Sequence, residues 1–129
     1  MTAWTSDELN NIGQANELRI ASLRRDGTLR NPVIIWVVRL GEDLYVRSVN
    51  GRDAAWFRST QARHEGHIQV RGVDKYVTFV EADNDPTLND QIDAAYRAKY
   101  GYPSSAVSHI TSSAARAATI KLVPRSTGT

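Results

Sequence analysis

The stretch Gly27–Ser59, GTLRNPVIIWVVRLGEDLYVRSVNGRDAAWFRS, decides the fold. It holds the longest apolar run of the chain, Val33 to Val38, and ends in an Arg-rich segment carrying Trp56 and Phe57. Within the run, Val33, Ile35 and Val37 alternate with Ile34, Trp36 and Val38. Successive side chains of a strand point to opposite faces, so both faces are apolar here. Such a strand is expected to be buried on both sides, at the centre of a sheet. The β-branched residues and the Trp favour strand over buried helix. Pro32 cannot donate to a ladder and fits a first strand residue or a bulge.

Working outward, Gly41-Glu42-Asp43 reads as a turn into a second strand, Leu44 to Val49, which Asn50-Gly51 breaks. Upstream, Leu18 to Arg24 reads as a strand. Arg25-Asp26-Gly27 signals a hairpin of type I′, returning along Thr28 to Arg39. These pieces predict a three-stranded antiparallel meander. Further strands are expected at Ile68–Arg71, at Tyr76–Ala82 after a turn at Gly72, and at Ala118–Arg125.

Helices punctuate this pattern. Thr5-Ser-Asp-Glu8 forms a capping box, with Trp4 and Leu9 as a hydrophobic staple, so a short helix runs from Ser6 to a stop at Gly13. Arg52 to Ala62 suits another short helix. Asp85-Pro86-Thr87 opens a third, with Thr87 and Asp90 as an acidic capping box. Its stripe is Leu88, Ile92, Ala95, Tyr96 and Lys99; Gly101 ends it and Pro103 prevents its continuation. Ser104 to Ala115 reads as loop with at most one helical turn, and residues 126–129 as a frayed tail. The expected architecture is mainly β: one domain over residues 1–129 whose roughly six antiparallel strands roll into a barrel with peripheral helices.

Composition narrows the function classes. The chain has 129 residues, no cysteine and a net charge of +2. Disulfide and thiolate chemistry are excluded, and a reducing cytoplasm fits. No stretch approaches the roughly 18 apolar residues of a membrane span, and the polar start MTAWTSDELNN is not a signal peptide. The basic residues form no stripe, so nucleic acid is not an expected partner. Lipase-type, P-loop and dinucleotide-binding motifs are all missing. His64 and His67, three residues apart, lack a third ligand, so no metal is expected.

The residues that suggest binding chemistry are the arginines around the meander. Arg47 and Ser48 close a strand, Arg52 follows a Gly, Arg58 follows Trp56-Phe57, and Arg30 sits on the neighbouring strand. Arginine makes planar bidentate contacts with phosphate, hydroxyls add donors, and Trp56 can cover a flat ring. From composition alone each Arg is read first as a solvated strand-face charge or as a partner of Asp26, Asp43 or Asp53, as most surface charges are.

The sequence resembles a small bacterial domain-of-unknown-function family of the FMN-binding split-barrel superfamily. The matching pieces are Glu17–Arg30, Pro32–Val38, Leu44–Ser48, Gly51-Arg52, Ala55–Arg58, Ile92–Tyr100 and Ala118–Arg125. More distantly, Gly27-Thr-Leu-Arg30-Asn-Pro32 and Gly51 to Phe57 are similar to deazaflavin-dependent nitroreductases. The chain departs from that pattern after the aromatic, where Arg58-Ser59 stands instead of Asn-Leu. The resemblance implies a six-stranded split barrel that binds FMN or a deazaflavin and transfers a hydride to a small organic substrate. It implies a homodimer with the cofactor at the subunit interface. Carried over residue by residue, Arg30, Pro32, Arg47, Ser48, Arg52, Trp56 and Arg58 would hold the cofactor. On a hydride-transfer reading, Tyr45 or Tyr96 would line the substrate side. The alternative is a non-enzymatic module, dimeric or binding a small ligand, with a degenerate pocket.

Overall fold

The computed structural model describes residues 3–101 and 104–125; the expected stop at Pro103 and the tail 126–129 lie outside them. Helix α1 (Ser6–Gln14) and strand β1 (Leu18–Ser22) precede the long apolar run, which is not one central strand. It divides into β2 (Val33–Ile35) and β3 (Val38–Leu40), followed by β4 (Asp43–Arg47) and, after a 3-10 turn at Gly51–Asp53, helix α2 (Ala55–Thr60). Strands β5 (Glu65–Val70) and β6 (Val73–Glu81) lead to helices α3 (Pro86–Tyr100), α4 (Ser105–Ile110) and α5 (Ser113–Arg116), and β7 (Thr119–Pro124) closes the described chain.

The strands form one sheet in the order β2-β1-β5-β6-β7-β4-β3, every neighbouring pair antiparallel. This is a seven-stranded split barrel, one strand more than expected. The extra strand comes from the run itself, whose halves pair with different partners. β2 lies on β1 through Leu18↔Ile35, and β3 lies on β4 through Val38↔Tyr45. Both margins of the sheet are therefore made by one segment, joined only by Trp36-Val37. The expectation of a doubly buried central strand is corrected accordingly. A marginal strand has one neighbour, and Ile34 is 57% exposed. Two three-residue margins also keep the unpaired edges short, which limits edge-to-edge association.

Two apolar clusters flank the sheet. The barrel interior holds Leu18, Ile20, Leu44, Val46, Ile68, Val77, Phe79, Ile120 and Leu122, closed at one end by Leu9 and Ile12 of α1. The capping box at Thr5 and Glu8 forms as the sequence indicates, and Trp4 packs in the same cluster as Leu9. The Trp4 indole N–H donates to the Leu122 carbonyl at 3.1 Å. Outside the sheet, Ile92 and Tyr96 of α3 cover Val38 and Tyr45.

Several local readings change. The N-cap of α3 is Asp85, whose carboxylate accepts from Leu88 N–H at 3.1 Å; it is not Thr87. Ser104 and Ser112 cap α4 and α5, so the expected loop is two short helices. The hairpin after β1 uses positive φ only at Gly27, whose N–H donates to the Arg24 carbonyl at 2.9 Å. That is a three-residue turn with a glycine bulge, not type I′.

The turn between β5 and β6 is Arg71-Gly72, both at positive φ (43° and 80°). Left-handed backbone costs a residue with a Cβ about 1–2 kcal/mol, and Asn tolerates it better. Arg71→Asn is therefore expected to stabilise the fold by about 0.5–1 kcal/mol. A rise in the thermal midpoint of a few degrees would show it, and an unchanged or lower midpoint would refute it.

Candidate functional site

The end of the barrel where β1, β2 and α2 meet carries a divided cleft. Its larger lobe is about 470 Å³, within the roughly 300–1,000 Å³ usual for small-molecule sites. Val33 to Trp36 form one wall, Trp56 of α2 another, and Val49, Ala106 and Ile110 complete the apolar lining. Glu17, Asn50 and His109 supply its polar side chains. The smaller lobe is about 280 Å³ and has a different character: Ser22, Arg24, Arg30, Asn31 and Ser59 line it. Val33 and Trp56 belong to both lobes, so they form the partition.

Local structure fixes this partition. Phe57, only 1% exposed, plugs the barrel and anchors α2. The Trp56 ring meets Phe57 edge-on at 6.1 Å. Ser59 Oγ lies 2.6 Å from the Trp56 carbonyl and 3.0 Å from Ser22 Oγ, tying α2 to β1 beneath the smaller lobe. Arg24 Nη1 is committed to the Leu29 carbonyl at 3.0 Å and to Thr28 Oγ1 at 3.3 Å. Arg30 donates its backbone N–H to Ser22, but its guanidinium has no partner among the described residues. The smaller lobe therefore presents one uncommitted, planar cation beside a second Arg and two hydroxyls.

The other arginines from the sequence reading lie elsewhere. Arg47 is 1% exposed. Its backbone belongs to β4 and it lines the larger lobe, but its guanidinium turns inward under α3. Nε donates to Thr119 Oγ1 at 2.9 Å, Nη1 to Asp93 Oδ1 and the Ile110 carbonyl, and Nη2 to the carbonyl and Oδ1 of Asn89. An arginine side chain has five N–H donors, and all find acceptors here, leaving none for a phosphate. Arg116 supports the same carboxylate through Asp93 Oδ2 at 3.1 Å. Ser48 is buried, with no partner for its hydroxyl among the described residues. Arg52 is held by the Ala117 carbonyl and Glu81, and stands over the Phe57 ring at 5.0 Å. Arg58 and Pro32 are exposed and line neither lobe.

The two tyrosines face away from the cleft. Tyr45 lines a more open depression against α3, with Leu40, Asp43 and Leu88. Burial, with Asp43 beside it, pushes its hydroxyl above the ordinary range. Tyr96 is completely buried under Arg47, and burial pushes its hydroxyl far above its ordinary range. The histidine pair also separates: His64 approaches Glu81 at 3.8 Å, while His67 pairs with Asp74 beneath Tyr76.

Of the residues proposed to hold a cofactor, Arg30 and Trp56 meet in the cleft with their side chains available. Sequence reasoning did not place Trp36, Glu17, His109, Ser22 and Arg24 there. It also missed Asn89 and Asp93, although their spacing with Ile92 and Tyr96 puts all four on one helix stripe.

Comparison with known proteins gives a family and a fold. Residues 8–122 match the family described as "Uncharacterized protein conserved in bacteria (DUF2255)". No curated protein matches the chain. Among solved structures it is similar to HutZ, the heme storage protein from Vibrio cholerae: TM-score 0.61, 16% identity, 94% of this chain and 90% of that one covered. An F420 reductase aligns with TM-score 0.55 and 17% identity over 90% of each chain. An FAD-binding protein from Mesorhizobium loti aligns with TM-score 0.53 and 15% identity, covering 95% of this chain and 89% of that one. At these identities the likeness is one of fold. No helix among the described residues is long and apolar enough to cross a membrane.

Proposed function

This chain belongs to the DUF2255 family of bacterial proteins, and we propose that it binds a flavin-type cofactor, FMN or a deazaflavin, in the divided cleft. The observation that carries this reading is the partition at Trp56: an apolar lobe with two indoles on one side, a lobe with an uncommitted guanidinium on the other. That donor set fits a ligand with a flat ring at one end and a phosphate at the other. Trp56 and Trp36 would flank the ring, while Arg30 and the free donors of Arg24 would take the phosphate. The split-barrel neighbours include an F420 reductase and an FAD-binding protein, which agrees with this choice of ligand.

Such a ring, once bound, supplies hydride transfer, here to a small organic acceptor. The protein's part is to orient the ring between indoles and to exclude water with the Val33–Ile35 and Ile110 walls. Ile34 and Val49, both on the rim, are 57% and 45% exposed. A second copy of the chain covering them would complete the larger lobe, which supports a homodimer as the working form; a chain without cysteine suits the reducing cytoplasm.

Titration with FMN and with coenzyme F420, read by Trp fluorescence quenching and thermal shift, tests the reading. Wild type should bind one of them. Arg30→Ala should weaken that binding about ten- to hundred-fold, since a hydrogen bond to a charged group contributes about 1.5–3 kcal/mol. Arg58→Ala, outside the cleft, should leave affinity within about two-fold. Absence of binding to either cofactor, or equal effects at Arg30 and Arg58, would overturn it.

A further inference from the structure

The Trp36-Val37 junction carries a hydrogen-bonding problem. Val37 is fully buried and lies between β2 and β3, outside both ladders. An unpaired buried amide group costs about 1–3 kcal/mol. The partners come from the far end of α3. Val37 N–H donates to Tyr100 Oη at 3.2 Å, and the Val37 carbonyl accepts from Lys99 Nζ at 2.6 Å. The same hydroxyl lies 3.0 Å from that carbonyl and 2.6 Å from the Asn16 carbonyl, so one phenol ties three backbone groups together. Burial pushes this hydroxyl up to about 12, so it keeps its proton for donation.

The ring of Tyr100 has a second task. It lies flat on the Trp36 indole, 3.9 Å between centroids and 3° from parallel. Tyr96 backs Tyr100 at 6.0 Å. Trp36 lines the larger lobe, and Tyr100 covers one of its faces. What the indole offers a ligand is therefore set by residues on another element, 64 positions away in the chain.

We propose that Tyr100 is a positioning residue whose ring fixes the plane of Trp36 as a wall of the ligand-binding lobe. The link to ligand binding rests on the flavin reading of that lobe; the positioning itself does not. The backbone clamp prevents the junction from rotating, and the stack sets the indole's tilt. Pre-ordering a wall in this way spares a ligand the cost of immobilising it.

Three variants test this: Tyr100→Phe, Tyr100→Leu and Trp36→Leu. The near-UV circular dichroism of the stacked pair is read without any ligand. Tyr100→Leu should lose the Trp36–Tyr100 signal while far-UV dichroism stays unchanged; Tyr100→Phe, which keeps a ring, should retain most of it. With FMN or coenzyme F420 as probe, Tyr100→Leu should weaken binding about ten-fold in the wild-type background and not at all in the Trp36→Leu background. An unchanged near-UV signal in Tyr100→Leu, or equal losses of affinity in both backgrounds, would overturn the positioning role. Failure of wild type to bind either probe would instead remove the flavin reading, leaving the ligand-free signal to decide the role of Tyr100.

Discussion

Asp93→Ala is expected to destabilise the protein by about 3–5 kcal/mol, the cost of breaking a buried pair from one side. Arg47 is inaccessible to water at its guanidinium, and Asp93 is its only carboxylate partner among the described residues. Removing that carboxylate leaves a cation facing neutral acceptors from Asn89, Thr119 and Ile110. It also removes one of the two carboxylates that Arg116 spans, leaving Asp90. The denaturation midpoint in urea should fall steeply with the slope nearly unchanged. Replacing both members, Arg47→Met with Asp93→Leu, should recover a large part of the loss, because no charge is then stranded. A loss below about 1 kcal/mol in Asp93→Ala would mean that water reaches the guanidinium, and the buried-charge account would fail.

Gly66→Ala should be comparably damaging, for a steric reason. A Cβ at Gly66 would stand 2.3 Å from the Ala21 carbonyl oxygen and 2.5 Å from Phe79 Cζ. The Phe79 ring can shift at some cost. The carbonyl cannot, because Ala21 and Ser22 are paired to His67 and Gly66 in the β1–β5 ladder. Overpacking of this kind costs about 1–3 kcal/mol, and more where backbone must move. Hydrogen exchange should lose protection along β1 and β5 before the rest of the sheet. Adding Phe79→Leu relieves the ring but not the carbonyl, so rescue should be partial. Full rescue would show that the ring alone was the obstacle.

How far the sequence carries the fold is best seen at individual residues. The alternation of Val77 and Phe79, and of Ile120 and Leu122, points to the barrel interior and is found there. The Thr5–Glu8 box and the helix from Pro86 were legible because caps are local chemistry. The division of Val33–Leu40 was not, because a period of two is identical for one long strand or two short ones. What divides the run is non-local: Leu18 takes one half and Tyr45 the other.

Arg47 shows the same limit at the site. Its place opposite Val46 puts it outside the barrel, which in sequence suggests solvent. Outside the barrel is nonetheless inside the protein once α3 lies over it. The clue was on α3, where Asn89 and Asp93 fall on the apolar stripe. Arg30 and Trp56 could be chosen from residue type. Their neighbours Ser22 and Arg24, on the facing arm of the same hairpin, needed the pairing that sets Arg30 beside Ser22.

The covalent strap at Trp36-Val37 limits how this barrel can breathe. Three virtual bonds of about 3.8 Å separate Ile35 from Val38, so the two rims cannot part there by more than about 11 Å. Any widening that admits a guest must swing about that point, like a clasp purse opening away from its hinge. The indole beside the hinge would then move least while the lips furthest from it travel most.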